Sequence, residues 1–273
     1  MQTIIPIQLQ EQQMSPGFRS VGLRGTLPTG HLLNIDHFHM SLPTFPPHPH
    51  AGFSAVTYML EDSPGSFINR DSRGDRSEIG PGTLHWTLAG SGVIHEEVPA
   101  SPGVDCHGLQ IFVKLPRSHE ETTPAAFHVE SSNVPEVSRD GARVRILSGS
   151  FQGNVSSISL PVSTTLLDVQ LAPRADLVID IPAGEEAFAM VLAGEGTVDG
   201  VGVRANMATS LRAGAIRVTA SQHSLQLVVS HSPPLADDVY WSGPFCMTEP
   251  RRLETAIRRY RAGAMGSLAP SFR

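Results

Sequence analysis

The sequence predicts an all-β protein: two tandem β domains and one C-terminal α-helix. Three observations carry this. Short runs rich in Val, Ile, Leu, Thr and Phe recur along most of the chain, turn residues separate them at a spacing near ten residues, and the two halves resemble one another. The 273 residues include 25 glycines and 22 prolines, which supply the turns that many short strands need.

The expected strands of the first half are VGLRG, HLLNIDHFHM, SAVTYML, SFINR, TLHWTLAG, GVIHEEV and GLQIFVKL, a set that suits a sandwich or small barrel. The pattern then breaks into a stretch rich in Pro, Ser and Glu. A first domain is therefore placed at 1–118, a linker at 119–140 and a second domain at 141–273. Strands resume with RVRILSG, SSISLPV, TTLLDVQLA, DLVIDIPA, AFAMVLAGEGTV, IRVTA and SLQLVVS. Near the C-terminus Thr248 can cap a helix with Pro250 in its first turn, and Leu253, Ala256, Ile257 and Tyr260 recur at helical spacing. Gly263 is the expected stop.

A formal charge of −6 argues against gripping a nucleic-acid backbone, and the basic run Arg251 to Arg259 reads as a solvated helix face. No stretch is apolar enough for a leader or a membrane span, so a cytoplasmic protein is expected. Cys106 and Cys246, alone and far apart, read as buried thiols of a reducing compartment.

The chemistry concentrates in two places. Residues two apart on a strand share a face, so His48 and His50 point the same way, as do His95 and Glu97, with Glu96 turned to the other side. On its own His48-Pro49-His50 reads equally as a proline-stiffened surface segment. Joined to His95-Glu96-Glu97 after a glycine turn, it suggests three imidazoles and a carboxylate around one divalent transition metal. Such donors suit Fe(II), Mn, Co, Ni, Cu or Zn alike. His37 and His39 also share a face, but without a partner pair nearby they read as structural or pocket-lining. His85 and His107 read as core or cavity histidines, and Phe53, Met59 and Trp86 as apolar walls or ordinary core. Setting the second half against the first places Asp180, Pro182 and Arg217 where His48, His50 and His95 stand. Only the first half keeps a possible metal set.

HPHAGFSAVTYMLED, IGPGTLHWTLAGSGVIHEE and GPFCMTEPRRLETAIRRYRAGAMG resemble the pirins, as do LPRSHEETTPAAFHVE, RVRILSGSFQG and AFAMVLAGEG. The resemblance implies two cupin barrels of the jelly-roll (double-stranded β-helix) kind. It also implies one non-haem metal, usually iron, in the first, held at the positions that here are His48, His50, His95 and Glu97, and a metal-free second barrel. It further implies a quercetin 2,3-dioxygenase activity, opening a flavonol's central ring with O2 and releasing carbon monoxide, with Glu97 taking the substrate's hydroxyl proton. The alternative it implies is a redox- or metal-sensing regulator that binds transcription factors or metabolic enzymes. The chain departs from the family at Ala51 and Ser54, where pirins carry arginine and glutamate in HPHRGFET. His85 and Ser91 replace the glutamine and arginine of QWMTAGRGI. These departures place the pocket rim and the substrate in question, and leave the four ligand positions intact.

Overall fold

The computed structural model describes residues 4–272. Among them the only α-helix is Pro250–Arg261, and strands make up the rest of the regular structure apart from two short 3-10 turns. The chain divides into two compact units.

The first unit holds Glu11–Ser20, Leu32–Ser132 and residues 236–272. Its strands include β1 (Leu32–Met40), β2 (His48–His50), β3 (Phe53–Met59), β4 (Phe67–Asp71) and β5 (Arg76–Ile79). They continue with β6 (Leu84–Leu88), β7 (Val93–Pro99), β8 (Cys106–Lys114) and β9 (Ala125–Val129). The order β9-β6-β3-β8-β1 runs through the larger sheet, and β2-β7-β4-β5 forms the smaller one. Phe38, Met40, Met59 and Cys106 from the larger sheet pack on Phe67 and Ile79 from the smaller, so one apolar core joins the two. Alternation along β3 and β8 turns Thr57 and Gln110 inward with Met59 and Cys106, which makes part of the interior polar.

Gly52, between β2 and β3, has φ +84°, and a Cβ there would stand 1.9 Å from the Cys246 carbonyl oxygen. Only glycine fits a backbone so close to another. The chain can therefore reverse directly after the two histidines of β2.

Two expectations about organisation are corrected. The stretch 119–140 is not a free linker: β9 lies in it and pairs with β6, and Glu120 is fully buried. Nor does the C-terminal helix join the second domain. Phe245, Met247, Ala256 and Met265 pack on Ala51, with Leu253 and Ile257 beside them, all in the first unit. Thr248 does not cap the helix either. Glu249 is its N-cap residue, while the Thr248 N–H and hydroxyl donate to Glu120 at 2.6 and 3.0 Å. The Thr248 hydroxyl thus donates to a buried carboxylate, a charge-assisted bond, instead of accepting from the first N–H groups of the helix. Pro250 begins the helix, and Gly263 at φ +71° follows its end.

The second unit holds residues 4–10, Val21–His31 and Asn133–Leu235. Its two long strands, Glu186–Val198 and Gly214–Ser232, pair along most of their length, so IRVTA and SLQLVVS are one continuous strand. SSISLPV is not a strand; Ile158 and Val162 are buried from an irregular segment. The core is aliphatic, with Ile179, Ile181, Ile216 and Val218 facing in. Asp180, Pro182 and Arg217 are exposed, on the opposite parity to those residues.

Candidate metal centre

Strands β2 and β7 pair antiparallel, with His48 opposite His95 and His50 opposite Val93. This register brings three imidazoles together: the ring centroids of His48, His50 and His95 lie 4.8 to 4.9 Å apart. One ring nitrogen from each lies within 4.8 Å of the others. Nδ1 of His48 donates to the Pro46 carbonyl at 2.9 Å, which fixes its tautomer and leaves Nε2 with a lone pair. The proline-rich approach to β2 thus orients a ring as well as stiffening the loop.

Burial pushes all three imidazoles below their ordinary pKa, His50 to about 3, and their mutual proximity adds to the effect at His50 and His95. They are neutral at pH 7 and present lone pairs. Nδ1 of His95 is buried and has no hydrogen-bond partner among the described residues. A buried polar atom without a partner costs free energy unless something accepts its lone pair. A borderline divalent ion fits three neutral, convergent imidazoles.

Glu97 shares the β7 face with His95, as the two-residue period requires, but is not a member of the three-histidine cluster. Its carboxylate is held by Thr57, whose hydroxyl lies 2.8 Å from both oxygens. Burial raises its pKa to about 7 against the opposing Thr57 hydrogen bond. Glu96 points the other way and is fully buried. It accepts from Arg70 and from the Ser271 N–H at 3.1 Å, and so ties down the C-terminal segment.

The departures from the family fall in different places. Ala51 is buried under Phe245, Met247 and Met265, so it belongs to the seat of the helix and not to a pocket rim. Ser54 is buried on the face of β3 opposite Thr57. Ser91 lies at a turn, its N–H donating to the Thr122 carbonyl. His85 alone faces inward: it lies across from Thr57 on β6, with Nδ1 3.3 Å from His128 Nδ1 and Nε2 3.9 Å from the Asp75 carboxylate. Beside the centre, Phe53 and Phe112 set their rings 5.0 and 5.4 Å from His50, and Phe45 lies 6.4 Å from His48. Phe53 is the expected wall. Met59 belongs to the apolar core, and Trp86 has the opposite parity to His85. Phe112 was not legible as a wall, since only the pairing of β8 with β3 brings it in, and Phe45 comes from the irregular approach to β2.

Metal-free protein carrying Glu97→Gln is expected to gain stability at alkaline pH. The folded pKa near 7 lies above the unfolded value near 4.5. Ionisation of Glu97 therefore costs nothing below pH 4.5, costs progressively more as pH rises to 7, and reaches about 3 kcal/mol beyond it. Urea unfolding of the stripped proteins should show little difference at pH 4 and a higher midpoint for the variant at pH 8. Equal midpoints at pH 8 would mean that Glu97 is not a desolvated carboxyl.

A two-sheet β-barrel with inward histidines on a short strand, followed by a second barrel filled with aliphatic side chains, defines a two-domain cupin. Comparison with known proteins gives the family. The Pirin family model matches residues 28–113, and the model of the pirin C-terminal cupin domain matches residues 166–266. The chain belongs to the pirin family. It is 32% identical over 254 residues to a pirin-like protein of Solanum lycopersicum, covering 91% of this chain and 86% of that one. Among solved structures, a quercetin 2,3-dioxygenase from Acinetobacter baumannii superposes with a TM-score of 0.86 at 22% identity, covering 97% and 98% of the two chains. The bacterial pirin YhhW of Escherichia coli, in complex with nickel(II), superposes with a TM-score of 0.70 at 18% identity, covering 85% and 100%. At these identities the two structures show a shared fold. No helix among the described residues is long and apolar enough to cross a membrane.

Proposed function

We propose that this pirin is a metal-dependent dioxygenase of flavonols such as quercetin, opening the central ring with O2 and releasing carbon monoxide. The observation that carries the reading is the set of three neutral, convergent imidazoles beside a carboxyl whose pKa lies near 7. The fold shared with a quercetin 2,3-dioxygenase supports it. In this reading His48, His50 and His95 hold one divalent ion, Fe(II) first among the candidates, and Glu97 is the fourth ligand position. When bound, such an ion supplies a positive centre that acidifies a hydroxyl and lets electrons pass to O2. Glu97, near pH 7 in pKa, takes the flavonol's hydroxyl proton, and Thr57 keeps its carboxylate aimed. Phe53 and Phe112 present ring faces to a flat aromatic substrate and exclude water from the centre. A cytoplasmic location belongs to the same reading and rests on Cys106 and Cys246, both free, buried and pushed up to about 12 by burial.

The test is to load stripped protein separately with Fe(II), Mn, Co, Ni and Cu, add quercetin in air, and follow oxygen uptake and carbon monoxide. Equimolar oxygen consumption and carbon monoxide release with at least one metal, and none without metal, is the expected outcome. Absence of both with every metal would overturn the reading.

A further inference from the structure

The outer face of the larger sheet carries a second convergence of imidazoles. His37 and His39 stand on the β1 face opposite Phe38 and Met40, and the pairing of β1 with β8 sets His107 across from His39. One ring nitrogen from each lies within 4.8 Å of the others. Nε2 of His37 and Nε2 of His107 are 2.5 Å apart, and the rings of His39 and His107 stack at 4.2 Å. Two of the rings are oriented by carboxylates: Nδ1 of His39 lies 2.6 Å from Asp105, and Nδ1 of His107 lies 3.0 Å from Asp62. An Nδ1–H donated to a carboxylate leaves Nε2 with its lone pair, which is how metal-bound imidazoles are supported from behind. Burial, with His107 next, holds His37 down to about 3, so it too is a neutral donor. Arg19 is the cation acting on His37, and it is paired with Glu11 at 2.9 Å.

We propose that His37, His39 and His107 form a second metal site, separate from the His48–His50–His95 centre, for a borderline divalent ion such as zinc(II). Three imidazole nitrogens and a water complete a tetrahedron, and Asp62 and Asp105 offset the ion's two charges from behind the rings. The His39 and His107 side chains are 24% and 15% exposed, so the ion enters from solvent. Metal–nitrogen bonds of about 2.0–2.1 Å set neighbouring nitrogens about 3.4 Å apart. Loading therefore spreads the His37–His107 contact, draws His39 in, and displaces the proton from between the two Nε2 atoms. His107 carries the inference: its sequence position gives no hint of the pair it completes.

The test is a zinc(II) titration of stripped, full-length protein by calorimetry, with bound metal counted by elemental analysis. Two equivalents are expected for the unsubstituted chain, one for His107→Ala, one for His95→Ala and none for the double variant. Asp105→Asn should weaken only the outer equivalent, by about 10- to 100-fold. Should His107→Ala fail to fold, His39→Asn reads the same equivalent. The inference is overturned if His95→Ala alone removes all zinc, or if neither His107→Ala nor His39→Asn lowers the count. Failure of the inner centre gives a different result: one equivalent that survives His95→Ala and is lost with His107→Ala.

Discussion

Protein carrying His95→Ala is expected to lose the inner equivalent of metal while keeping a folded β structure. His95 sits opposite His48 on the paired strands β2 and β7, and its Nδ1 is buried without a hydrogen-bond partner among the described residues. Removing its ring breaks no protein hydrogen bond at that atom. The stability loss should then be that of a cavity, about 2 kcal/mol. The affinity loss should exceed the roughly 100-fold typical of disturbing a residue that merely supports a ligand. Elemental analysis reads the metal and far-ultraviolet circular dichroism reads the fold. Unchanged stoichiometry would sink the assignment of the centre. Glu96→Gln is the informative control: it sits one residue away on the other face, against Arg70 and Ser271, so it should loosen the C-terminal segment and leave the metal in place.

Glu120→Ala should be the most destabilising single substitution of the set, at about 3–5 kcal/mol. Glu120 and Lys114 are both fully buried and paired at 2.5 Å. The Lys114 ammonium also donates to the carbonyls of Gly52 and Leu115 at 2.9 and 2.8 Å. Deleting the carboxylate removes the buried counter-charge of Lys114 and leaves the Thr248 N–H and hydroxyl without their acceptor. The urea midpoint should fall sharply, and proteolysis should begin in the segment after residue 236. Lys114→Met combined with Glu120→Leu should recover much of the loss, because an apolar pair has no charge to strand. A cost below 1 kcal/mol for Glu120→Ala would mean that the pair does not anchor the segment.

These two substitutions also mark the limits of what the chain discloses before it is folded. The trio His48, His50 and His95 was legible because the face a strand residue occupies depends on local parity alone, and the glycine turns announce where the strands stop. The all-β class was legible for the same reason. Glu120 was hidden in a stretch whose Pro, Ser and Glu content resembles a solvated linker; its burial depends on Lys114 and on Thr248, far along the chain. The helix was found and its apolar stripe correctly read, yet its partner was not, because an amphipathic face states that something covers it and not what does. His107 failed for want of the β1–β8 register, and Ala51 looked like a rim residue until Phe245 was set beside it.

The placement of residues 236–272 with Leu32–Ser132 bears on how the protein is made. A ribosome delivers the histidine strands early, then all of Asn133–Leu235, and only afterwards the segment that covers Ala51 and satisfies Glu120. The second unit can therefore finish folding while the first still waits for its closing piece. Until that piece emerges, the buried ammonium of Lys114 and the apolar floor around Ala51 remain open to water and to chaperones. Closure of the first unit is accordingly expected only after that piece has emerged. A chain stalled before residue 240 would carry every histidine of the site and still lack the cover that closes its unit.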